Sequence, residues 1–282
     1  MERCKLGYCF SSLFSLIMPE LVEVEVIKKQ LESKLIGKKF VKIEIRDPKI
    51  FKGDKNKILN SKITKIERIG KILIFCFENN FYLTTHFKMS GRFIFEKESK
   101  NFDKVHNRVI FYLGKEKLIY NDIRRFGWLK IVNEQELKEI LKNIGTDALE
   151  ISFEEFEKII KNSSKMIKGL LMDQSKISGI GNIYANEILF VARINPKTKA
   201  NNLTNNQIKS LYKSITKVLK RALKFNGSSI SSFITTKAQK GDYQKHFYIY
   251  GKNGKKCPRD KGTIQKINLF SRATYFCPIC QK

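Results

Sequence analysis

The sequence predicts an α+β protein, and three observations support this fold class. Apolar residues recur with a period near two from Phe40 to Val132, which is typical of many short strands and therefore of a β-sandwich or barrel. From Ser152 to Gly227 the apolar spacing becomes helical and capping signals appear. The chain then ends in a strand–turn–strand segment that contains three cysteines. We therefore expect a β domain, a helical domain and a small terminal hairpin, in that order.

The first predicted element is a helix over residues 21–35. Its apolar residues Val24, Ile27, Leu31 and Leu35 lie on one helical face, and a glycine at position 37 follows as a stop signal. Short alternating segments then predict strands, with glycine and asparagine between them. The predicted strands cover residues 39–45, 72–77, 81–86, 92–95, 108–113, 118–120 and 128–132.

The strand pattern breaks at residues 143–149, where we place a domain boundary. Ser152 begins a capping box and a helix that extends to about Lys161, and Thr204 begins a second box and a long helix that Gly227 ends. Two more helices are predicted at residues 166–172 and 184–191, and a polar loop at 228–245. The resulting domains are residues 18–145, 146–240 and 241–282. Residues 1–17 are interpreted as an upstream extension, absent from the working protein.

The charge balance indicates a polyanionic partner. Lys and Arg number 55 against 27 Asp and Glu, a net charge of +28, and nucleic acid is the simplest partner for such an excess. The alternatives are a highly soluble basic protein and a protein that binds membrane surfaces. No apolar segment of the sequence is long enough to span a bilayer.

The cysteines near the C-terminus have the spacing of a metal site. Cys257 and Asp260 form one knuckle, and Cys277 and Cys280 form a second one sixteen residues later. Two such knuckles are typical of a zinc ribbon, in which each turn supplies two ligands to a tetrahedral ion. Aspartate at one corner is unusual, although its oxygen can bind zinc. We predict one Zn²⁺; the alternative is a hairpin that has lost the metal and is held by its apolar residues.

Met18, Pro19 and Glu20 have the pattern of a protein N-terminus with a chemical role. Removal of Met18 would leave a secondary amine on Pro19, which could attack a sugar or carbonyl carbon to form an iminium, with Glu20 moving protons beside it. If residues 1–17 stay attached, the Pro19 nitrogen is a tertiary amide and cannot attack. The alternative is an ordinary Met-Pro pair inside a chain.

Three loops carry further candidate residues. The sequence GIGNIYA at 179–185 places glycines and Asn182 before a helix, where backbone N–H groups can hold a phosphate. The loops at 85–92 and 121–128 carry Met89, Arg124 and Phe126, and an arginine with an apolar wedge can fill the space that an extruded base leaves. The alternatives are a structural helix start, a core methionine and a solvated arginine pair beside a buried phenylalanine.

Taken in order, the MPEL start, the KMSG turn, RRFG, GIGNIYA and the terminal knuckles resemble formamidopyrimidine-DNA glycosylases from Met18 to the last residue. The resemblance implies an N-terminal β-sandwich with flanking helices, a helix–two-turns–helix domain and a C-terminal zinc-finger β-hairpin. It also implies a bifunctional base-excision repair enzyme. Such an enzyme removes oxidised purines from duplex DNA through a Schiff base on the N-terminal proline, and β- and δ-eliminations then cut the strand. The partner would be duplex DNA with oxidised bases or abasic sites, and the protein a cytoplasmic monomer, nucleoid-associated when bound to DNA.

The resemblance also assigns roles to residues of this chain. Pro19 would attack the sugar C1′, with Glu20 assisting by proton transfer and Lys71 contacting phosphate near the lesion. Phosphates would further be contacted by His106, Asn182 and Arg272. The void left by the flipped nucleotide would be filled by Met89, Arg124 and Phe126, with Arg124 facing the orphaned cytosine. A lid over 8-oxoguanine would include Lys240, Gly241, Asp242 and Tyr243, and Glu23 would line the base pocket.

The chain departs from the family pattern at Val22 and Ile123, where proline is usual, and at Asp260, where cysteine is usual. Two alternatives to the purine glycosylase remain open on this scaffold. One is an endonuclease VIII-like enzyme that prefers oxidised pyrimidines, and the other is a DNA- or RNA-binding protein without the chemistry. A third, a ribosome- or RNA-associated zinc-ribbon protein, would make the Pro19 and Arg124 motifs coincidences.

Overall fold

The computed structural model describes residues 18–96, 104–228, 233–234 and 241–282. The N-terminal half contains nine strands: β1 Lys42–Ile45, β2 Phe51–Lys52, β3 Ile63–Ile69, β4 Ile72–Phe77, β5 Tyr82–His86, β6 Gly91–Glu96, β7 Asn107–Leu113, β8 Glu116–Asp122 and β9 Trp128–Val132. Further along are five more: β10 Thr146–Asp147, β11 Ile177–Ser178, β12 Phe233–Ile234, β13 Gln265–Leu269 and β14 Arg272–Phe276. The α-helices within these described ranges are α1 Leu21–Leu35, α2 Glu134–Lys142, α3 Phe153–Lys161, α4 Ile167–Leu171, α5 Asn182–Ala192 and α6 Asn205–Lys224.

Two five-stranded sheets form the predicted sandwich. One sheet has the order β1-β7-β8-β6-β12 and the other the order β2-β9-β5-β4-β3. Side chains from both sheets and from α1 form one core, in which Phe75, Phe93 and Phe111 are fully buried. Alternation along each strand directs these rings inward, as the sequence pattern requires.

The helical half has its own core around α5, which is packed against α6. The first helix belongs to both halves of the protein. Leu21 and Val22 are buried in the helical core, while Val24, Ile27 and Leu31 are buried in the sandwich core. The start of α1 therefore lies where the two halves meet.

The strands β13 and β14 form the terminal hairpin, which packs on α5. A small core of Phe190, Ile249, Ile264 and two cysteines holds it. This β-sandwich, helical domain and hairpin agree with the predicted α+β class. In the part of the chain described here, no helix is long and apolar enough to cross a bilayer.

Several helices and strands were predicted correctly from the sequence. The helix at 21–35 and the strands at 72–77 and 128–132 are confirmed residue for residue. The Thr204 capping box forms in full, whereas at Ser152 only half of the box forms because Glu155 binds Thr146 instead. The predicted strand at 39–45 was too long, since only residues 42–45 form β1.

Besides the two-residue strands β2, β10, β11 and β12, two longer elements were missed. In β3, a bulge between Ile63 and Lys65 allows Ile63 and Ile66 both to face the core, and their spacing of three hides the strand alternation. The helix α2 begins at an Asn133 cap within a segment with few apolar residues. The upstream extension at 1–17 lies outside the described residues, and the domain boundaries stay predictions.

Candidate active site

Glu20 lies between the two halves and is 3 % exposed. Its carboxylate accepts hydrogen bonds from the backbone N–H groups of Gly181 at 2.7 Å, Ile183 at 2.9 Å and Tyr184 at 3.3 Å. These groups form the N-terminus of α5, where unpaired donors and the helix dipole favour a negative charge. The predicted glycine turn before this helix thus holds a carboxylate of the protein, and it fixes the residue beside Pro19.

Glu23 continues this buried network. It accepts hydrogen bonds from the Glu20 backbone N–H at 3.0 Å and from the Tyr184 hydroxyl at 2.6 Å. Its second set of donors is the backbone N–H and the hydroxyl of Ser228, at 3.0 and 2.9 Å. Ser228 lies four residues after the end of α6, so Glu23 connects α1 to the segment that follows α6.

The environment changes the proton affinity of these groups. Burial raises the pKa of Glu20 to about 7. The positive charge of Lys71 and the hydrogen bonds from backbone N–H groups oppose this rise, whereas the negative charge of Glu23 contributes to it. Burial lowers the pKa of the Lys71 amine. The negative charges of Glu20 and Glu23 oppose this fall, and the positive charges of Lys88 and Arg272 add to it. A carboxyl group with a pKa near neutrality can both donate and accept a proton under physiological conditions.

The turn between β3 and β4 positions Lys71. Gly70 adopts a positive φ of +55° there, and its N–H donates to Asp147 at 3.0 Å. Arg68 binds the same Asp147 carboxylate and donates to Glu25 of α1 at 2.8 Å. This buried ion-pair network fixes the Lys71 turn to both halves of the protein.

Met89, Arg124 and Phe126, which the sequence predicts to act together, lie in one cluster. The Arg124 guanidinium donates to the Met89 sulfur at 3.1 Å and lies 4.7 Å from the centre of the Phe126 ring. Phe126 is 53 % exposed, so its apolar surface is available to a partner. Packing of the guanidinium on the ring gives the cluster a defined shape before any ligand binds.

Two carboxylates hold the loop that carries this cluster. Asp122 is fully buried, binds the Ser90 hydroxyl and accepts the N–H of Gly127 at 2.8 Å. Asp47 binds the Arg125 guanidinium at 2.6 and 3.0 Å. Of the two neighbouring arginines, Arg125 therefore anchors the loop while Arg124 faces outward.

His106 lies beside the same loop. Its Nδ1 is 3.3 Å from a guanidinium nitrogen of Arg108, which also donates to the Asp122 carbonyl at 2.8 Å. His106 is partly buried, and this contact joins it to Arg108 rather than to Met89, Arg124 or Phe126.

A fully buried lysine that the sequence analysis missed joins the helical domain to the hairpin. The Lys168 amine donates to Asn182 at 2.8 Å, to the Thr274 hydroxyl at 2.6 Å and to the Ala273 carbonyl at 3.3 Å. Burial lowers the pKa of Lys168 to about 8, opposed by Glu20. A single lysine in an ordinary helical segment carries no signal of such burial. Asn182 also donates to Ala273 at 3.1 Å, so two predicted phosphate contacts, Asn182 and Arg272, come together at this junction.

The predicted metal ligands converge. One ligand atom from each of Cys257, Asp260, Cys277 and Cys280 lies within 4.8 Å of the others. The Cys257 and Cys280 sulfurs are 3.9 Å apart, close to the roughly 3.8 Å edge of a zinc tetrahedron with Zn–S bonds of about 2.3 Å. Cys277 Sγ is 3.3 Å from Asp260 Oδ2. This donor set and spacing fit a tetrahedral zinc ion.

The predicted lid is described in part. Lys240 lies outside the described residues. Gly241 is buried, and the N–H groups of Asp242 and Tyr243 donate to Phe225 at 3.0 Å and Gly227 at 2.9 Å. Tyr243 is fully buried in the helical core, where it stacks on Tyr184. The backbone of Asp242 and Tyr243 is thus held to the residues after α6, the side chain of Asp242 is exposed, and the role of these residues in a lid stays a prediction.

Comparison with known proteins agrees with this arrangement. A family model described as the formamidopyrimidine-DNA glycosylase N-terminal domain matches residues 18–129, and a second, described as the H2TH domain, matches residues 144–234. The formamidopyrimidine-DNA glycosylase of Lactiplantibacillus plantarum is 37 % identical over 274 residues, which cover 94 % of this chain and 100 % of that protein.

Solved structures show the same fold. A Lactococcus lactis FPG mutant in complex with a Fapy-dG containing DNA has a TM-score of 0.87 at 34 % identity, covering 94 % of this chain and 100 % of that one. MutM in complex with carbocyclic 8-oxo-G containing DNA also has a TM-score of 0.87, at 33 % identity and with the same coverage. The chain therefore belongs to the formamidopyrimidine-DNA glycosylase family.

Proposed function

We propose that this protein removes oxidised purines from duplex DNA and cuts the strand at the abasic site that results. Family membership supports the activity, and relatives of the same fold bind DNA that contains Fapy-dG, an 8-oxo-G analogue or an abasic site. The observation that carries the proposal is the position of Pro19 beside Glu20, whose carboxylate is fixed at the start of α5.

The nucleophile is the secondary amine of a chain that begins at Pro19. Its nitrogen lone pair attacks C1′ of the damaged nucleotide, the glycosidic bond breaks, and the base leaves with a proton. The sugar ring opens and an iminium forms between Pro19 and C1′. Loss of a C2′ proton then expels the 3′ phosphate, and a second elimination expels the 5′ phosphate.

Glu20 exchanges protons with the sugar during these steps. With a pKa of about 7 it can give a proton to the ring oxygen as the ring opens and accept one later. Lys71, at the turn held by Asp147, supplies positive charge at a phosphate beside the lesion. Asn182 and Arg272 would bind phosphates at the junction with the hairpin, and His106 one near the Arg124 loop.

The cluster of Met89, Arg124 and Phe126 fills the stack when the damaged nucleotide is flipped out. Flipping costs a few kcal/mol in lost stacking and pairing, which inserted side chains offset. Arg124 carries the donors that can bind the orphaned cytosine. The lid that includes Lys240, Gly241, Asp242 and Tyr243 would cover the extruded base, with Glu23 at the pocket wall.

We further infer that Cys257, Asp260, Cys277 and Cys280 hold one Zn²⁺, which would fix the hairpin that presents Arg272. In its cellular setting the enzyme would work in the cytoplasm, on the nucleoid, as a monomer.

Borohydride trapping on a duplex with 8-oxoguanine opposite cytosine tests the proposal. Protein that begins at Pro19 is compared with protein that keeps residues 1–18 and with a Pro19→Gly variant. We expect a covalent adduct only from the first, and near-normal duplex binding by the variant. Excision by Pro19→Gly at the wild-type rate would exclude the assigned nucleophile. Duplex binding without an adduct on oxidised purine, oxidised pyrimidine or abasic substrates would favour a non-catalytic binder.

A further inference from the structure

The tip of the terminal hairpin carries an exposed aromatic residue that none of the assigned roles uses. Phe270 and Ser271 form the two-residue turn between β13 and β14, with Leu269 paired to Arg272. Phe270 is 54 % exposed. It is two residues from Arg272, so the ring lies at the edge of the surface to which phosphate binding is assigned.

The backbone at this tip is unfavourable for phenylalanine. Phe270 has φ +53° and Ser271 has φ +55°, the left-handed values that a tight hairpin turn requires at both positions. Glycine or asparagine adopts these values at little cost, whereas a bulky residue does so only with strain. Such strain often marks a functional position. Stability of the turn therefore does not explain why a large ring is here.

The Phe270 ring nevertheless packs against Gly169, a position that leaves room for it. A Cβ atom added to Gly169 would lie 2.7 Å from Cζ of Phe270 and 2.9 Å from Cε2, so the ring edge rests on α4 where a side chain is missing. Gly169 follows Lys168, whose amine is bound to Thr274 and Ala273 of the same hairpin. One part of the ring is thus supported by α4, and the remainder faces solvent.

The surroundings of the ring are cationic. Arg272 precedes Ala273, whose carbonyl accepts hydrogen bonds from Lys168 and Asn182. Burial is the largest cause of the lowered pKa values of Lys168 and Lys71, and the charge of Arg272 contributes to both. Next to cations that are assigned to phosphate binding, an apolar ring can pack on the deoxyribose between two phosphates, because the deoxyribose is the apolar part of a DNA backbone. The sugar is present at every nucleotide, so the contact would be independent of sequence.

We propose that Phe270 is a DNA-contact residue whose exposed face packs on the deoxyribose next to the phosphate held by Arg272. This contact rests on the proposed function, since it assumes that the Arg272 surface binds the damaged duplex. By removing water beside the Arg272–phosphate pair, the ring would also strengthen that pair.

The test compares Phe270→Gly with Ser271→Gly, which relaxes the neighbouring turn residue and keeps the ring. The probe is a duplex with a tetrahydrofuran abasic analogue, and the dissociation constant is measured over a range of salt concentrations. We expect Phe270→Gly to weaken binding about five- to tenfold, as loss of a few tens of Å² of apolar contact implies, without lowering the melting temperature. Ser271→Gly should bind as the wild type does. Phe270→Tyr should restore binding.

The salt dependence separates the ring from its charged neighbour. Phe270→Gly should leave the slope of log Kd against log salt unchanged, whereas Arg272→Gln should reduce it by about one charge. Equal affinity of the two glycine variants would overturn the contact. So would a fall in melting temperature that matches the fall in affinity, because the ring would then hold the hairpin on α4. Trapping of the wild type in the same preparations tests the proposed chemistry separately.

Discussion

Gly181 lies so close to Glu20 that the substitution Gly181→Ala, which adds one methyl group, tests whether the position of Glu20 matters for excision. A Cβ added to Gly181 would lie 2.3 Å from the Glu20 carboxyl carbon, and ordinary contact begins at 3.4 Å, so the carboxylate must move by about 1.1 Å. Gly181 has φ −123°, an extended conformation that alanine also adopts, so the backbone itself is not strained by Gly181→Ala. The substitution therefore acts mainly on Glu20.

A displacement of about 1 Å in a catalytic group costs on the order of 100-fold in rate. It also breaks or lengthens the bonds to the N–H groups of Gly181 and Ile183, each worth about 1.5–3 kcal/mol when the acceptor is charged. We expect Gly181→Ala to lower the single-turnover rate of 8-oxoguanine excision about 100-fold. The dissociation constant for a tetrahydrofuran duplex should change less than threefold, because the three atoms nearest to the added methyl group all belong to Glu20 and none to an assigned DNA contact.

The assay is quench-flow excision under single-turnover conditions, with borohydride trapping in parallel. Gly254→Ala is the control, because a Cβ there meets nothing within 4 Å although its φ of +76° is less favourable for alanine. An excision rate within threefold of the wild type, in a variant that melts normally, would refute the assigned role of the Glu20 position.

Four further predictions concern the titration of Glu20, the metal and the cluster of Met89, Arg124 and Phe126. Because burial raises the pKa of Glu20 from 4.5 to about 7, the folded state holds this proton more tightly than the unfolded chain does, so its contribution to stability is lost as pH rises between these values. Urea unfolding from pH 5 to 8 should show a loss of about 3 kcal/mol in the wild type relative to Glu20→Gln, and parallel curves would contradict the shift. Removal of zinc by a chelator should weaken duplex binding at least about tenfold, with recovery on adding zinc. In the cobalt-substituted protein, Asp260→Cys should increase the thiolate charge-transfer absorption, and an unchanged spectrum would show that Asp260 is not a ligand. Met89→Ala should slow excision of paired 8-oxoguanine about tenfold while cleavage of a ready-made abasic site changes less than twofold, and equal effects would count against insertion into the stack.

The sequence predicted best the features whose signal is local. The alternating strands at 72–77 and 128–132 and the Thr204 capping box depend on neighbouring residues, and they form as expected. The convergence of Cys257, Asp260, Cys277 and Cys280 was predicted because each knuckle is a short motif, although Cys277 comes twenty positions after Cys257. The bulge in β3 was hidden because it changes the period over only a few residues.

Long-range partners could not be read from the sequence. Glu20 and the N–H groups that hold it are about 160 residues apart, and nothing near Gly181 indicates a carboxylate as its ligand. Lys168 is one of many lysines in the sequence. It differs from them in the structure, because it is buried and donates hydrogen bonds to Asn182 and Thr274. Arg124 and Arg125 are adjacent residues of the same type, yet it is Arg125 that binds Asp47 and so anchors the loop.

The division of α1 between two cores has a consequence for how the enzyme matures. A ribosome completes Pro19 and Glu20 early, but the donors that fix Glu20 belong to residues 181–184, and the neighbours that bury Leu21 and Val22 belong mostly to the helical half. In a chain that begins at Pro19, the emerging sandwich alone would therefore have an amine next to a carboxylate that nothing holds. The arrangement around Glu20 would be complete only once the helical half, which also supplies Asn182, has been made.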